Sequence, residues 1–523
     1  MRYLALLLVA APAMLAGSAA PVPAAATAEP TVAMVLSNVR RAVGYDALAR
    51  LPVGFSVVER GEGEEARQTL SFGSRSGALR AGSEYGYDGR YRWRFDERRG
   101  IAVPAPLRLH EKTAWPLWVR SNWWLNPRSG IAVAVLPAES DANAVALRLT
   151  EPGGLVPATL WIDRRTWLPS RLSVPYERGA YTAAYSDYRE ALGMRLPFTV
   201  ETRYGSASVR HVEAVAVLPA AQADFAAPPP VPPARFDPSV PARLGLRRGT
   251  PFGPSTPGHL FAEAAVDGAP AGWFLLDSGA DGMMIDAALA DRLGLPVVGR
   301  TRTIGADGRP REATYRRARS FRVGRLAFDN PLFLALDLSG NNAPPGATRS
   351  GVIGYDVLAR AVIEFARGGE WATVCDPATY RLPAPGRWQP LDFLDLAPAV
   401  TTRFEGGRTG LFQIDTGAAG TVDFYRQYVE SERLLAGRET REVESAGAGG
   451  AFTMREGRIG WFALGDRRFA NVDAGFRTNF SREGGAGIVG RALMAPFLVV
   501  FDYPHRRIAF VDAARARPAS GCG

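Results

Sequence analysis

Two short segments of the chain share one four-residue pattern, an aspartate followed by a hydroxyl residue, a glycine and an alanine. They are Asp277-Ser-Gly-Ala280 and Asp415-Thr-Gly-Ala418. Two carboxyl groups held at hydrogen-bond distance cannot both ionise, so they share one proton. The ionised member can take a proton from a water molecule while the protonated member polarises a carbonyl group. The two segments together therefore predict a hydrolytic site that needs neither a metal ion nor a nucleophilic side chain.

The surroundings of the two segments repeat as well. A lone Asp-Thr-Gly would be weak evidence, because turns use the same residue types. Here each copy follows a predicted β-hairpin, with turns at Asp267-Gly268 and Gly406-Gly407, whose second strand ends at the aspartate. Two apolar residues and a glycine follow each copy at nearly the same spacing, as Val352-Ile-Gly354 and Ile488-Val-Gly490. We interpret this agreement as an internal repeat.

At these residues the sequence resembles the aspartic protease clan, and in particular the retroviral-type fold of bacterial aspartyl protease domains. The resemblance covers about residues 251–512. It implies that Asp277 and Asp415 are the catalytic pair. It also implies that the hydroxyls of Ser278 and Thr416 brace the two loops across the interface between lobes. Many members carry one copy and must dimerise, whereas two tandem copies predict a pepsin-like unit in one chain, and we expect a monomer.

Glycines in and near the repeat have predicted roles of two kinds. Gly279 and Gly417 lack a Cβ atom, which allows close approach of the two loops. Two later glycine-bearing hairpins are candidate flaps that would close over an extended peptide, although ordinary exposed hairpins would look the same. The candidate flap glycines are Gly305, Gly308, Gly447 and Gly449.

The residue after each motif glycine bears on the pH dependence. Pepsin-like enzymes usually carry serine or threonine there, and its hydroxyl stabilises the carboxylate. This chain has Ala280 and Ala418 instead, as retroviral enzymes do. Without that donor the ionised form is less favoured, so we expect a mildly acidic to near-neutral optimum.

The chain is predicted to be mainly β, with two retropepsin-like β-barrel lobes after an α+β domain that has a curved antiparallel sheet. A proline-rich stretch marks the main boundary, because proline favours extended, semi-rigid backbone. The predicted parts are a signal peptide (1–26), an N-terminal β-rich domain (29–222), a linker (223–250), lobe 1 (251–385) and lobe 2 (386–523).

The N-terminal domain is predicted to open with a helix from Thr31 to Ala49 and to continue as strands. Its segments Leu160–Pro169 and Tyr185–Phe198 loosely resemble periplasmic lipoprotein carriers, which hold lipid in the concave face of a curved sheet. A lipid or lipoprotein partner is therefore one alternative. The tryptophans at positions 115, 118, 123 and 124 could line an apolar cleft, but ordinary core packing is favoured.

The first residues read as an export signal. Arg2 precedes a short apolar run and then small residues, and Ser18 stands where a lipidated cysteine would be needed. We expect cleavage and a periplasmic or secreted product. Export would place Cys375 and Cys522 in an oxidising compartment, where they either form a bridge or leave Cys522 as a free thiol near the end of the chain.

Composition excludes several function classes. The chain has 523 residues, a net charge of +10 and a single lysine, Lys112, among 62 basic residues. The arginines are interleaved with acids and form no basic block, so we expect no nucleic-acid partner, although contact with anionic envelope components is compatible with the charge. Two cysteines and four scattered histidines give no metal-ligand spacing, and no cofactor is expected.

These observations favour an exported aspartic endopeptidase that acts on peptides or proteins. The main alternative is a non-catalytic envelope protein that binds lipid or lipoprotein and carries degenerate protease-fold lobes. An assembly module that uses the same fold only for contacts is a third class.

Overall fold

The computed structural model of the chain describes residues 30–62, 67–151, 156–176, 179–251, 258–304, 310–338, 343–447, 450–482, 484–512 and 521–522. The described residues form four sheets, of 13, 11, 5 and 8 strands. The prediction of a mainly β chain is confirmed. The predicted signal peptide lies outside the described residues. No helix in the described ranges has the length and apolar character needed to cross a bilayer.

The 13-stranded sheet belongs entirely to the N-terminal part, and its strand pairs are antiparallel. Its spatial order runs from β6 back to β1 and then from β13 back to β7. The strands are β1 (Gly54–Gly61), β2 (Gln68–Gly73), β3 (Leu79–Ala81), β4 (Tyr85–Tyr87), β5 (Arg92–Asp96), β6 (Ile101–Pro104), β7 (Ala132–Val135), β8 (Ala144–Thr150), β9 (Ala158–Asp163), β10 (Pro169–Tyr176), β11 (Gly179–Ala191), β12 (Met194–Tyr204) and β13 (Ser206–Val217).

The helices of this part differ from the prediction. The expected single helix over 31–49 is wrong: the structure has α1 (Val32–Ala42) and α2 (Tyr45–Arg50). Gly44 between them has a φ of +66°, a left-handed conformation that ends a helix and favours glycine. The sequence also missed α3 (Leu107–Arg120), which has no side-chain cap and contains Pro116, so it lacks the usual signals of a helix.

The aromatic cluster of the N-terminal part is core. Trp115 and Trp118 lie on α3 with ring centroids 5.6 Å apart. Together with Trp123 and Trp124 they are at most 7% exposed, and they belong to the apolar cluster that α1 and the sheet share. The cleft interpretation of the tryptophans is therefore wrong.

The 11-stranded sheet contains the first motif. Its strands are β14 (Arg235–Phe236), β15 (Leu246–Arg248), β16 (Leu260–Val266), β17 (Ala269–Leu276), β18 (Met283–Asp286), β19 (Val297–Ile304), β20 (Pro310–Arg317), β21 (Ser320–Val323), β22 (Leu326–Asp329), β23 (Leu332–Leu336) and β24 (Arg349–Ile353). Short helices α4 (Ala287–Arg292) and α5 (Tyr355–Leu358) follow β18 and β24.

The 5-stranded sheet draws on both parts of the C-terminal unit. It is ordered β26-β25-β36-β37-β27, with strands β25 (Val362–Phe365), β26 (Ala372–Cys375), β27 (Gln389–Pro390), β36 (Phe497–Asp502) and β37 (Arg507–Asp512). Within it β25 pairs with β36 in antiparallel register. β25 follows the first motif in the chain and β36 follows the second, so this pairing links the two halves of the repeat.

The 8-stranded sheet contains the second motif. Its strands are β28 (Asp392–Leu394), β29 (Ala397–Phe404), β30 (Arg408–Ile414), β31 (Val422–Phe424), β32 (Thr440–Gly447), β33 (Gly450–Leu464), β34 (Arg467–Arg477) and β35 (Gly487–Val489). Helix α6 (Arg426–Ser431) follows β31 and α7 (Arg491–Met494) follows β35.

The strand pairings around the two motifs are alike. β17 lies parallel to β24, and β30 lies parallel to β35. β18 lies parallel to β23 and antiparallel to β24, while β31 lies parallel to β34 and antiparallel to β35. Each motif therefore leaves its sheet from a strand that is flanked by the same kind of parallel partner.

Candidate active site

Both motif aspartates lie at the end of a buried strand. Asp277 follows β17, and its amide donates to the carbonyl of Ile353 at 3.0 Å. Asp415 follows β30, and its amide donates to the carbonyl of Val489 at 3.0 Å. The parallel neighbour strand thus fixes the backbone of each aspartate at the start of a tight loop.

The two loops are joined by a reciprocal set of hydrogen bonds. The Ser278 amide donates to Thr416 Oγ1, and the Thr416 amide donates to Ser278 Oγ, each at 2.9 Å. Ser278 Oγ donates to the carbonyl of Ile414 at 2.8 Å, and Thr416 Oγ1 donates to that of Leu276 at 3.0 Å. Both hydroxyl residues are buried. Since each hydroxyl both donates and accepts across the interface, neither loop can move without breaking buried bonds.

The motif glycines allow the carboxyl groups to meet. A Cβ atom placed on Gly279 would lie 2.5 Å from Asp415 Oδ2, and one placed on Gly417 would lie 2.5 Å from Asp277 Oδ1. Both distances are far inside van der Waals contact. Each carboxyl group therefore occupies the space that a side chain on the opposite loop would need.

The apolar-apolar-glycine segments lie directly against the loops. A Cβ on Gly354 would lie 2.7 Å from the Ala280 carbonyl oxygen, and one on Gly490 would lie 3.0 Å from that of Ala418. Glycine is required at both positions because the backbones approach so closely.

The carboxyl groups of Asp277 and Asp415 influence each other, and each lies beside the motif glycine of the opposite loop. Removal from water is the largest cause that raises the pKa of both groups, and for Asp277 the charge of Asp415 raises it further, to about 8. Two carboxyl groups this close resist ionising together, so ionisation of one favours retention of the proton on the other. That state combines a base and an acid in one site.

The donors to the two carboxylates are unequal. Asp415 Oδ1 accepts from the amides of Gly417 at 2.7 Å and Ala418 at 3.1 Å, and Oδ2 accepts from Gln413 Nε2 at 3.0 Å. Asp277 accepts from the amide of Gly279 at 2.9 Å. The sequence reasoning missed Gln413, although its place two residues before the second aspartate, where the first copy has a leucine, was a visible signal.

Four basic residues lie near the pair. Arg349 on β24 lowers the pKa of Asp277, and Arg482 lowers that of Asp415. Burial lowers the pKa of His259 to about 4, with Arg491 as the next cause. His259 Nε2 lies 2.7 Å from the carbonyl oxygen of Gly417, so the neutral ring can donate to the second loop.

The N-terminal part also reaches the first loop. Arg99, in the turn between β5 and β6, donates from Nη1 to the carbonyl of Asp281 at 2.7 Å. The same Nη1 lies 3.9 Å from Asp356 Oδ2, and Arg360 Nη2 donates to the Arg99 carbonyl at 3.2 Å. Nothing in the sequence pointed to Arg99, because its partners lie far along the chain.

The predicted flap hairpins are antiparallel pairs. β19 pairs with β20, and β32 pairs with β33. The last residue pair of the second hairpin joins Gly447 to Gly450. Gly305, Gly308 and Gly449 lie outside the described residues. Their flap role stays a prediction.

Cys375 and Cys522 form a disulfide, which decides between the two alternatives that the sequence left open. With Glu364 they form the one His/Cys/Asp/Glu grouping of metal-binding size in the described ranges. The two sulfur atoms are bonded to each other, so neither is available as a thiolate ligand. The Glu364 carboxylate accepts from Thr373 and Tyr380.

Comparisons with known proteins agree with part of this reasoning. Residues 262–357 match a family model described as aspartyl protease, and this range includes the first motif. No curated protein matches the chain. A LolA superfamily protein from Nitrosomonas europaea is similar in structure, with a TM-score of 0.28 and 17% identity, over 38% of this chain and 98% of that protein. A likeness of that size carries no conclusion about this chain.

Proposed function

We propose that the protein is an aspartic endopeptidase whose water-activating pair is Asp277 and Asp415. The observation that carries the proposal is the close approach of two carboxyl groups, each 2.5 Å from the Cβ position of the opposite motif glycine, on loops joined by Ser278 and Thr416. The aspartyl protease match over residues 262–357 supports a protease-like function. A pair that holds one proton at near-neutral pH is suited to hydrolysis of an amide.

The proposed reaction needs no group beyond this chain and water. The ionised carboxylate removes a proton from water as the oxygen attacks the peptide carbonyl carbon. The protonated carboxyl group donates its proton to the carbonyl oxygen, which gives a neutral tetrahedral diol. In the second half, the first carboxyl returns its proton to the nitrogen, the carbon–nitrogen bond breaks, and the other carboxylate recovers a proton from a diol hydroxyl. The pair ends as it began.

The rigid loops explain why so few groups suffice. Four buried hydrogen bonds between Ser278, Thr416 and the opposite strands hold the carboxyl groups in place before substrate binds. Positions that are fixed in advance cost no reorganisation during the reaction. We further propose that the two hairpins, β19–β20 and β32–β33, cover an extended peptide substrate.

We also propose export to the periplasm or the medium. The short apolar run near the N-terminus, which is followed by small residues, supports this proposal. The disulfide between Cys375 and Cys522 supports it as well, because such bonds persist in oxidising compartments. The lipid-carrier alternative keeps only the loose resemblance of two N-terminal segments, since the tryptophans that could have lined a lipid cleft are buried in the core.

The test is cleavage of an unfolded protein by the purified chain between about pH 4 and 8, a range chosen around the carboxyl pKa values. Asp277→Asn and Asp415→Asn keep the shape of each side chain but cannot share a proton, and both should abolish cleavage. Asp329→Asn is the matched control, because Asp329 lies on β22 of the same sheet as Asp277 and its side chain pairs with Arg235 at 2.7 Å. Cleavage that survives in either variant of the pair would refute the mechanism.

A further inference from the structure

The two copies differ at one buried position beside the pair. Gln413 precedes Asp415 by two residues on β30, and Leu275 holds the corresponding place before Asp277 on β17. Both side chains are at most 3% exposed. Leucine cannot donate a hydrogen bond, whereas Gln413 Nε2 donates to Asp415 Oδ2 at 3.0 Å. The repeat is therefore chemically unequal where its two carboxyl groups meet.

A second buried residue fixes the direction of that bond. Tyr425, which is 0% exposed, donates from its hydroxyl to Gln413 Oε1 at 2.9 Å. With its oxygen engaged by the tyrosine, the amide presents its NH₂ group to Asp415. A carboxylate accepts such a bond, and the ionised form is stabilised by it. The corresponding residue in the first copy is Asp286, which instead caps α4 by accepting from the amide of Leu289.

On the premise of the peptidase function, we propose that Gln413, oriented by Tyr425, is a positioning residue that makes Asp415 the ionised member of the pair. Asp277 then carries the shared proton. Asp415 has three donors within hydrogen-bond distance, from Gly417, Ala418 and Gln413, while within the described part of the chain Asp277 accepts one such bond, from Gly279. Asp415 thus takes the proton of water, and Asp277 donates to the peptide carbonyl oxygen.

The other charged groups around the pair act on both members. Arg349 favours the ionised form of Asp277, and Arg482 favours that of Asp415. Arg491 interacts with both carboxyl groups. The Tyr503 hydroxyl, which is uncharged, donates to the Ser278 carbonyl oxygen at 3.5 Å. These charges are distributed over both sides, whereas the direct donors are concentrated on Asp415, so the donors set the difference.

The test compares pH profiles of kcat/KM for the full chain and for Gln413→Leu, which copies the leucine of the first repeat. A hydrogen bond to a charged group contributes about 1.5–3 kcal/mol, and one pKa unit corresponds to about 1.4 kcal/mol. The acidic limb, which reports ionisation of the base, should therefore move up by about one pH unit or more. Tyr425→Phe should move it in the same direction by less. Leu275→Met, which adds no donor beside Asp277, should leave the limb in place.

An acidic limb that stays in place in both Gln413→Leu and Tyr425→Phe overturns the assignment. Urea unfolding between about pH 4 and 8 tests the role of Gln413 without any need for enzymatic activity. It therefore distinguishes failure of this assignment from failure of the peptidase proposal. If the parent chain cleaves nothing, the peptidase proposal fails. Gln413→Leu should still lose stability relative to the parent as pH rises, since the buried Asp415 carboxylate has lost a donor. Parallel unfolding profiles would refute the inference.

Discussion

The hairpin of β5 and β6 carries two residues that belong to the core of the C-terminal unit. Ile101 and Val103 are both 0% exposed, and they lie in the apolar cluster that contains residues of both motif-bearing sheets. The carbonyl between them, of Ala102, accepts from the Tyr355 hydroxyl at 3.2 Å. We predict that Ile101→Ala destabilises the C-terminal unit although Ile101 belongs to the N-terminal sheet.

The magnitude follows from the burial. Alanine at position 101 removes three carbon groups from a fully buried site, which costs about 2.4 kcal/mol at about 0.8 kcal/mol per buried group. The cavity left behind adds to this, and buried isoleucine-to-alanine changes cost about 2–5 kcal/mol in total. We expect a loss of about 3 kcal/mol. Glu97→Ala, an exposed change on the same hairpin, should stay within about 0.5 kcal/mol.

The assay is brief proteolysis of the full chain in increasing urea, with mass spectrometry to assign each cut. In Ile101→Ala, cuts within residues 258–512 should begin at lower urea than in the parent or in Glu97→Ala. If only cuts within residues 30–217 move, the hairpin does not support the C-terminal core and the reasoning is refuted.

Three further outcomes are expected. Gly417→Ala should lower the rate of peptide cleavage by on the order of 100-fold, because its Cβ would displace the Asp277 carboxyl group and a small displacement of a catalytic group costs about that much. Its control is Gly420→Ala, whose Cβ would meet nothing within 4 Å and which should cleave at the parent rate. Asp277→Asn should stabilise the chain against unfolding above about pH 4 but not below it. The pKa of Asp277 is about 8 in the folded parent chain and about 3.9 in the unfolded chain, so the stability of the parent falls as pH rises between these values. Equal urea midpoints of the two chains at about pH 8 would contradict this. Cys522→Ala should cost up to about 5 kcal/mol in urea unfolding, because the bond to Cys375 spans 147 residues; an unchanged midpoint would show that the bond adds no stability.

The local signals in the sequence predicted local structure well. The N-terminal domain was predicted to continue as strands after its first helix, and its described residues do form β1 to β13, because the two-residue period of a strand is set by its own residues. The helix prediction over 31–49 failed where the backbone conformation of Gly44 decided the outcome. Helix α3 was missed because packing of its tryptophans, rather than capping, stabilises it.

The sequence by itself also supplied the candidate pair, since the repeated motif and its hairpins are local patterns. It could not supply the meeting of the two loops, where the bonding partners Ser278 and Thr416 are separated by 138 positions. Nor could it show that Arg99 reaches the first loop or that Gln413 and Tyr425 act on one carboxylate. Those contacts depend on how the sheets pack, and a burial that raises a pKa or a hydrogen bond that lowers it exists only once distant strands have come together.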